Sequence, residues 1–181
     1  MAKRPLRFEG GPPRCEIGGP PLAKAIATQA VTLIQPGPAD LKRCFNGTVG
    51  VIFPRFSWLA DRITIEPPLL DEAAYLQGAL GRFGVRPEIL IVGIEPTDAE
   101  IERAVGLATR SDVALLFLFD AHLYPSNRRL LDRLQEAGRA LAVALLRDPY
   151  DAAFLKPGVL GVTAFGFRIC QLDAVIARLL A

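Results

Sequence analysis

The sequence predicts an α/β protein in which a mostly parallel sheet lies between two layers of helices, and three observations carry that expectation. The runs VGVIF (49–53), EILIVGI (88–94), DVALLFLF (112–119) and RALAVALL (139–146) are continuously apolar, as strands buried on both faces are. The later segments between them space their apolar residues three and four apart, the mark of amphipathic helices. From about residue 71 onward helix and strand alternate, the order that builds βαβ units.

Each element has a local reason. Residues 1–21 include GGPPRCEIGGPP, where glycine and proline are too dense for either periodicity, so they are expected to form a flexible tail or linker, with 22–181 as a single domain. A helix is expected from Leu22, with Leu22, Ile26 and Ala30 on one face behind Pro21. VTLI follows as a β-branched strand, QPGPADLKRCFNGT as a loop, VGVIF as a strand and PRFSWLADRITIEPP as irregular structure. DEAAYLQGALGRFG is a helix capped by Asp71, with Leu76, Leu80 and Phe83 on its stripe and Gly84 as its stop. In TDAEIERAVGLATRS, Thr97 and Glu100 form a capping box ahead of Ile101, Ala104, Val105 and Ala108. SNRRLLDRLQEAG is a helix ended by Gly138, VLGVTAF a strand and QLDAVIARLL a closing helix. The result is a three-layer αβα sandwich of flavodoxin-like arrangement.

Composition excludes several functions. A formal charge of +2 offers no basis for nucleic-acid binding. The longest apolar runs, about seven residues, fall far short of the ~20 that a spanning helix needs, so no membrane is expected. No apolar h-region follows the basic N-terminus, and a cytoplasmic location is the default expectation. Cys15, Cys44 and Cys170 are scattered and odd in number, which suits free thiols. The sole histidine, His122, has no cysteine near it in sequence, so neither a metal nor a cofactor is expected.

In open parallel sheets ligands sit beyond the carboxyl ends of the strands. Two polar tips stand out there: Asp120-Ala121-His122, continuing to Tyr124, and Arg147-Asp148-Pro149-Tyr150-Asp151. We take Asp120, His122, Tyr124, Arg147, Asp148, Tyr150 and Asp151 as candidates for ligand or interface contact, and none as catalytic. Structural roles compete with that reading. Asp148 before Pro149 can start a turn, Asp151 can cap a short helix over AAFL, and Arg147 can pair with Asp120 or Asp151. Phe56 and Trp58 can stack on a sugar, but a partly buried loop position is the expectation. Ser126 lacks the GxSxG elbow of a nucleophile, and neither GxGxxG nor GxxxxGK[ST] occurs to cradle phosphate. A receiver-like phosphoacceptor at Asp120 would want an acidic pair near VGVIFPR, and none is there.

These residues also carry a resemblance. The segment from SDVALLFLFDAHLYPS through RALAVALLRDPYDAAFL, with GVTAFGF and QLDAVIARLL after it, is similar to the second, C-terminal domain of glycoside hydrolase family 3 enzymes of the β-N-acetylhexosaminidase type. That family has an N-A-H-L-like strand tip, a helix, a strand ending in R-n-P-Y-D and a Tyr-Gly strand in this order. AKAIATQAVTLI resembles its segment joining barrel to second domain, so the resemblance runs from about Leu22 onward. Asp120 stands where the family often has Asn, and Phe165-Gly166 replaces Tyr-Gly.

The resemblance implies that catalysis belongs elsewhere. In that family a (β/α)8 barrel of about 250 residues supplies an aspartate nucleophile and a loop histidine as acid/base, and this sequence contains no such barrel. In other branches the second domain lends a glutamate, for which Glu66 and Glu95 are the loop candidates. The expected function is a stand-alone accessory domain that binds a partner barrel, an N-acetylglucosamine-type glycan, or itself as a homodimer. Glycoside hydrolase activity in a composite site is the alternative, with small-ligand sensing at the sheet edge a third.

Overall fold

In the computed structural model, residues 19–180 are described. The segment expected to be a tail thus lies outside the described residues except for 19–21, which belong to the first helix, α1 (Gly19–Ala30). Among the described residues six strands form one sheet in the order β1-β6-β5-β4-β2-β3. They are β1 (Thr32–Gln35), β2 (Val49–Pro54), β3 (Pro87–Val92), β4 (Val113–Leu118), β5 (Ala140–Leu145) and β6 (Leu160–Thr163). All neighbouring pairs from β2 to β6 are parallel, and β1 alone runs antiparallel, beside β6. Counted without β1, the order is that of the flavodoxin-like sandwich, as expected.

The helices after α1 are α2 (Leu41–Cys44), α3 (Glu72–Gly81), α4 (Asp98–Arg110), α5 (Pro125–Glu136) and α6 (Ile169–Leu180). Because strand side chains alternate, each strand feeds two cores. Val51, Phe53, Leu115 and Phe117 pack with Leu76 and Leu80 of α3 and with Leu172 and Ile176 of α6. Ile52, Leu116, Leu118 and Val143 face the other way, against Ile101 and Leu107 of α4 and Leu130 and Leu134 of α5. Each fully buried side chain of this size contributes ~1.5–3 kcal/mol relative to exposure, so the two faces together outweigh any single polar contact in holding the layers.

Local signals set the boundaries. Asp71 accepts a hydrogen bond from the Ala74 N–H and starts α3, while Thr97 and Glu100 form the expected capping box of α4. Gly138 ends α5 at φ +66, a conformation that favours glycine. At Gly50 a Cβ would lie 2.7 Å from Ser111 Oγ and 2.9 Å from Leu107 Cγ, so glycine lets β2 approach the end of α4.

Four expectations are corrected. Leu22 and Ile26 are exposed, and α1 buries Ala27 instead, against α6, so a small residue sets that contact. Phe83 lies beyond the end of α3 and is likewise exposed, because the helix stops at Gly81 before the stripe is complete. The loop expected between β1 and β2 contains the short helix α2, which buries Leu41. Strand β3 begins at Pro87, acceptable because β3 is an edge strand and loses no ladder partner there.

Candidate functional site at the carboxyl edge

Chain direction defines the site. After β2 the chain crosses over α3 on one face of the sheet, and after β4 it crosses over α5 on the other. The loops leaving these neighbouring strands diverge, and such a divergence is where ligands bind in open α/β sheets. Arg55 to Trp58 lie on one side, Phe119 to Tyr124 on the other, and the loop after β5 lies next along the edge.

The tip of β4 is held tightly. Asp120 has φ +45, and its carbonyl accepts from the N–H groups of Leu123 and Tyr124. Asn127, buried at the start of α5, donates through Nδ2 to the carbonyls of Ile94 and Phe119, tying the tips of β3 and β4 together. The Tyr124 ring stacks beside Phe119 at 6.1 Å. Behind the tip, Phe56 stacks on Phe167 at 4.5 Å and meets Phe119 edge-on at 5.3 Å, an apolar wall that desolvates the polar groups in front.

Two carboxylates organise the polar side. Asp151, buried, accepts the Ala121 N–H at Oδ2 and the His122 N–H at Oδ1, each at 2.8 Å. Its Oδ1 also lies 2.9 Å from His122 Nδ1. An ionised carboxylate only accepts, so Nδ1 carries the proton in neutral His122 and Nε2 keeps the lone pair. Asp120 is buried too, and its Oδ2 accepts from Arg147 Nη1 at 2.6 Å. Burial raises the Asp120 carboxyl above its ordinary pKa, and the Arg147 charge only partly offsets that rise. Asp148 Oδ1 accepts the Tyr150 N–H, and the Tyr150 ring meets His122 edge-on at 5.5 Å.

The seven candidates from sequence therefore meet at one edge, with roles partly different from those expected. Asp148 starts the 3-10 turn Pro149–Phe154, as its place before Pro149 suggested, whereas Asp151, offered as the cap of a short helix over AAFL, reaches across to the β4 tip. Sequence spacing could not show this, because the contact spans thirty positions. Of the two pairings open to Arg147, Asp120 is the one formed. One oxygen of Asp120, one of Asp148 and a ring nitrogen of His122 lie within 4.8 Å of one another. The expectation of no metal rested on ligand spacing along the chain, and the fold brings these donors together from two loops.

Other residues stand near the edge in roles that differ from those expected. Trp58, expected to be partly buried, is 65% exposed with Arg55 stacked on its ring at 4.6 Å, while Phe56 carries the buried role. Phe165, at φ +58 beyond β6, is also exposed. Of the two glutamates considered, Glu66 accepts the Ile169 N–H at 2.7 Å and caps α6, and Glu95 is exposed on the loop after β3.

An α/β sandwich with a polar carboxyl edge is a widely shared class, and comparison narrows it. No family model and no curated protein matches the sequence. Solved structures match in fold. A glycoside hydrolase family 3 β-N-acetylglucosaminidase from Paenibacillus sp. str. FPU-7 superposes with TM-score 0.73 at 19% identity, over 99% of this chain and 33% of that one. CbsA from Thermotoga neapolitana gives 0.56 at 17% identity, over 89% of this chain and 30% of that chain. A fungal multi-domain family 3 β-N-acetylglucosaminidase gives 0.61 at 13%, over 87% and 17%. The chain spans a third or less of the length of these structures. At such identities the likeness is one of fold, and it is the fold of the family 3 C-terminal domain that the RDPYD stretch led us to expect.

Proposed function

We propose that this chain is an accessory domain that docks through its carboxyl edge onto a family 3 catalytic barrel and does not hydrolyse glycosides alone. The supporting observation is the apolar surface at that edge. Trp58, Leu123, Tyr150 and Phe165 are all large and exposed, and they follow the carboxyl ends of β2, β4, β5 and β6 respectively. Apolar residues gathered in this way favour association. The fold shared with part of a β-N-acetylglucosaminidase supports the choice of partner. Among the described residues no helix is long and apolar enough to cross a membrane, and a cytoplasmic setting belongs to the same proposal.

Sedimentation velocity of the purified chain with the catalytic barrel of a family 3 β-N-acetylglucosaminidase tests this. The expected result is a heterocomplex that the double variant Trp58→Ala, Tyr150→Ala weakens at least tenfold. Independent sedimentation at every concentration overturns it, and self-association or binding of an N-acetylglucosamine oligomer instead transfers the edge to that occupant.

A composite hydrolase site has its own supporting observation, the His122–Asp151 pair with Nε2 left as the basic nitrogen. Such a pair supplies an acid/base, whereas retaining hydrolysis also needs a nucleophile roughly 5 Å away, which the barrel would have to bring. Release of chromophore from an aryl N-acetyl-β-glucosaminide by the mixture, lost in His122→Ala with the complex intact, distinguishes this from docking alone.

A further inference from the structure

We propose that Asp120, His122 and Asp148 form a binding site for one divalent transition-metal cation of the zinc class, a property separate from docking. Among the described residues this is the group whose three donor atoms meet, within 4.8 Å of one another. Donors bound at ~2.0–2.2 Å around a tetrahedral ion lie ~3.3–3.6 Å apart, so the set must close by about an ångström. Its parts are suited to that adjustment. Asp120 is fixed in the β4 tip, whereas His122 and Asp148 sit on more accessible loop positions.

Two independent features point to a cation. The Asp120 side chain is 2% exposed, and the hydrogen bond it accepts comes to Oδ2 from Arg147 Nη1, the nitrogen of a side chain that is itself half exposed. A carboxylate so withdrawn from water is costly to ionise unless positive charge stands beside it, and a bound cation supplies that charge. His122, for its part, is set up as a ligand by a residue outside the trio. Asp151 takes Nδ1–H and orients the ring, the carboxylate–histidine arrangement that supports bound metals, and Nε2 is left with its lone pair.

Arg147 does not already fill this role. It reaches Asp120 through Nη1 alone, its side chain is half exposed, and Asp148 adds a second negative charge acting on Asp120. A ring nitrogen with two carboxylate oxygens suits zinc better than calcium or magnesium, which prefer oxygen alone, and a water would complete the tetrahedron.

The test is a calorimetric titration of the metal-stripped full chain with zinc chloride at pH 7, with cobalt(II) as an optical probe of the ligand set. One zinc per chain is expected, with a cobalt spectrum typical of nitrogen and oxygen ligands. His122→Ala and Asp148→Asn should each weaken binding at least tenfold while keeping the wild-type circular dichroism and melting profile. Both residues lie away from the packed core, so folded variants are expected, and Asp120 is left unchanged. Absence of binding, equal affinity in both variants, or a cobalt–thiolate band placing the ion on cysteine would each overturn the proposal. None of these outcomes bears on docking, which the sedimentation experiment reads without metal.

Discussion

Asp112 and Asp120 flank the same strand, β4, and are held in opposite ways. At the amino edge, Asp112 is exposed and accepts from the backbone N–H and the hydroxyl of Thr48, which hold its carboxyl below the ordinary range. Asp120, at the carboxyl edge, is buried, and burial lifts its carboxyl despite the pairing with Arg147. Asp112 serves the fold by fastening the entrance of one strand to the entrance of the next. Asp120 holds a charge in a place that does not favour it, and such tension between a group and its surroundings is commoner at functional edges than at structural ones. The exposed Trp58, Leu123, Tyr150 and Phe165 lie at the edge of Asp120, not that of Asp112.

The contrast can be broken most sharply at Asp151. Replacing it with alanine leaves the buried Ala121 N–H without an acceptor and frees the His122 ring. A loss of ~2–4 kcal/mol is expected from the unmet donor and the broken contacts, measured by urea unfolding. A loss below ~0.5 kcal/mol would mean that the edge is not organised by this carboxylate. Arg147→Ala comes next, at ~1–2 kcal/mol. Removing the partner of a buried charge is costly, but the half-exposed arginine and the ease of protonating Asp120 reduce the effect.

Dependence on pH should differ in sign between the two edges. The Asp112 carboxyl is depressed in the folded state, so its contribution is present above the unfolded pKa of ~3.9 and is lost as pH falls through the folded value. The Asp120 carboxyl is raised, so its contribution is present below the unfolded value and is lost as pH rises through the folded one. On acidification from pH 7 toward 3, wild type should therefore gain stability relative to Asp120→Asn above about pH 4 and lose it relative to Asp112→Asn below about pH 4. Urea midpoints of the three proteins across that range check this, and parallel curves would remove the distinction. The smallest effect on stability is expected from Trp58→Ala, within about 1 kcal/mol, because the ring is exposed and its stacking with Arg55 is a surface contact. Its effect on association should be the larger one.

Much of the fold was legible before any coordinates. Continuous apolar runs such as VALLFLF mark strands covered on both sides, and Thr97 with Glu100 fixes a helix start through contacts three residues apart. The site was legible as a set of residues, since both polar tips follow strands that had to end at one edge if parallel. Their individual roles were not. Asp151 looks like a local cap until β5 is placed beside β4, and Trp58 looks like half-buried filler until Phe56 is seen to take the interior position.

The alternation of elements, their caps and the layer each strand face would need follow from local pattern, because these rest on period and on contacts within a turn. Long-range packing alone sets β1 antiparallel along β6, buries Ala27 of α1 in place of Leu22 and Ile26, and lets Asp151 orient His122. Those outcomes depend on which surfaces remain open after the sheet has closed, and on pairs separated by tens to more than a hundred residues, which no local pattern encodes.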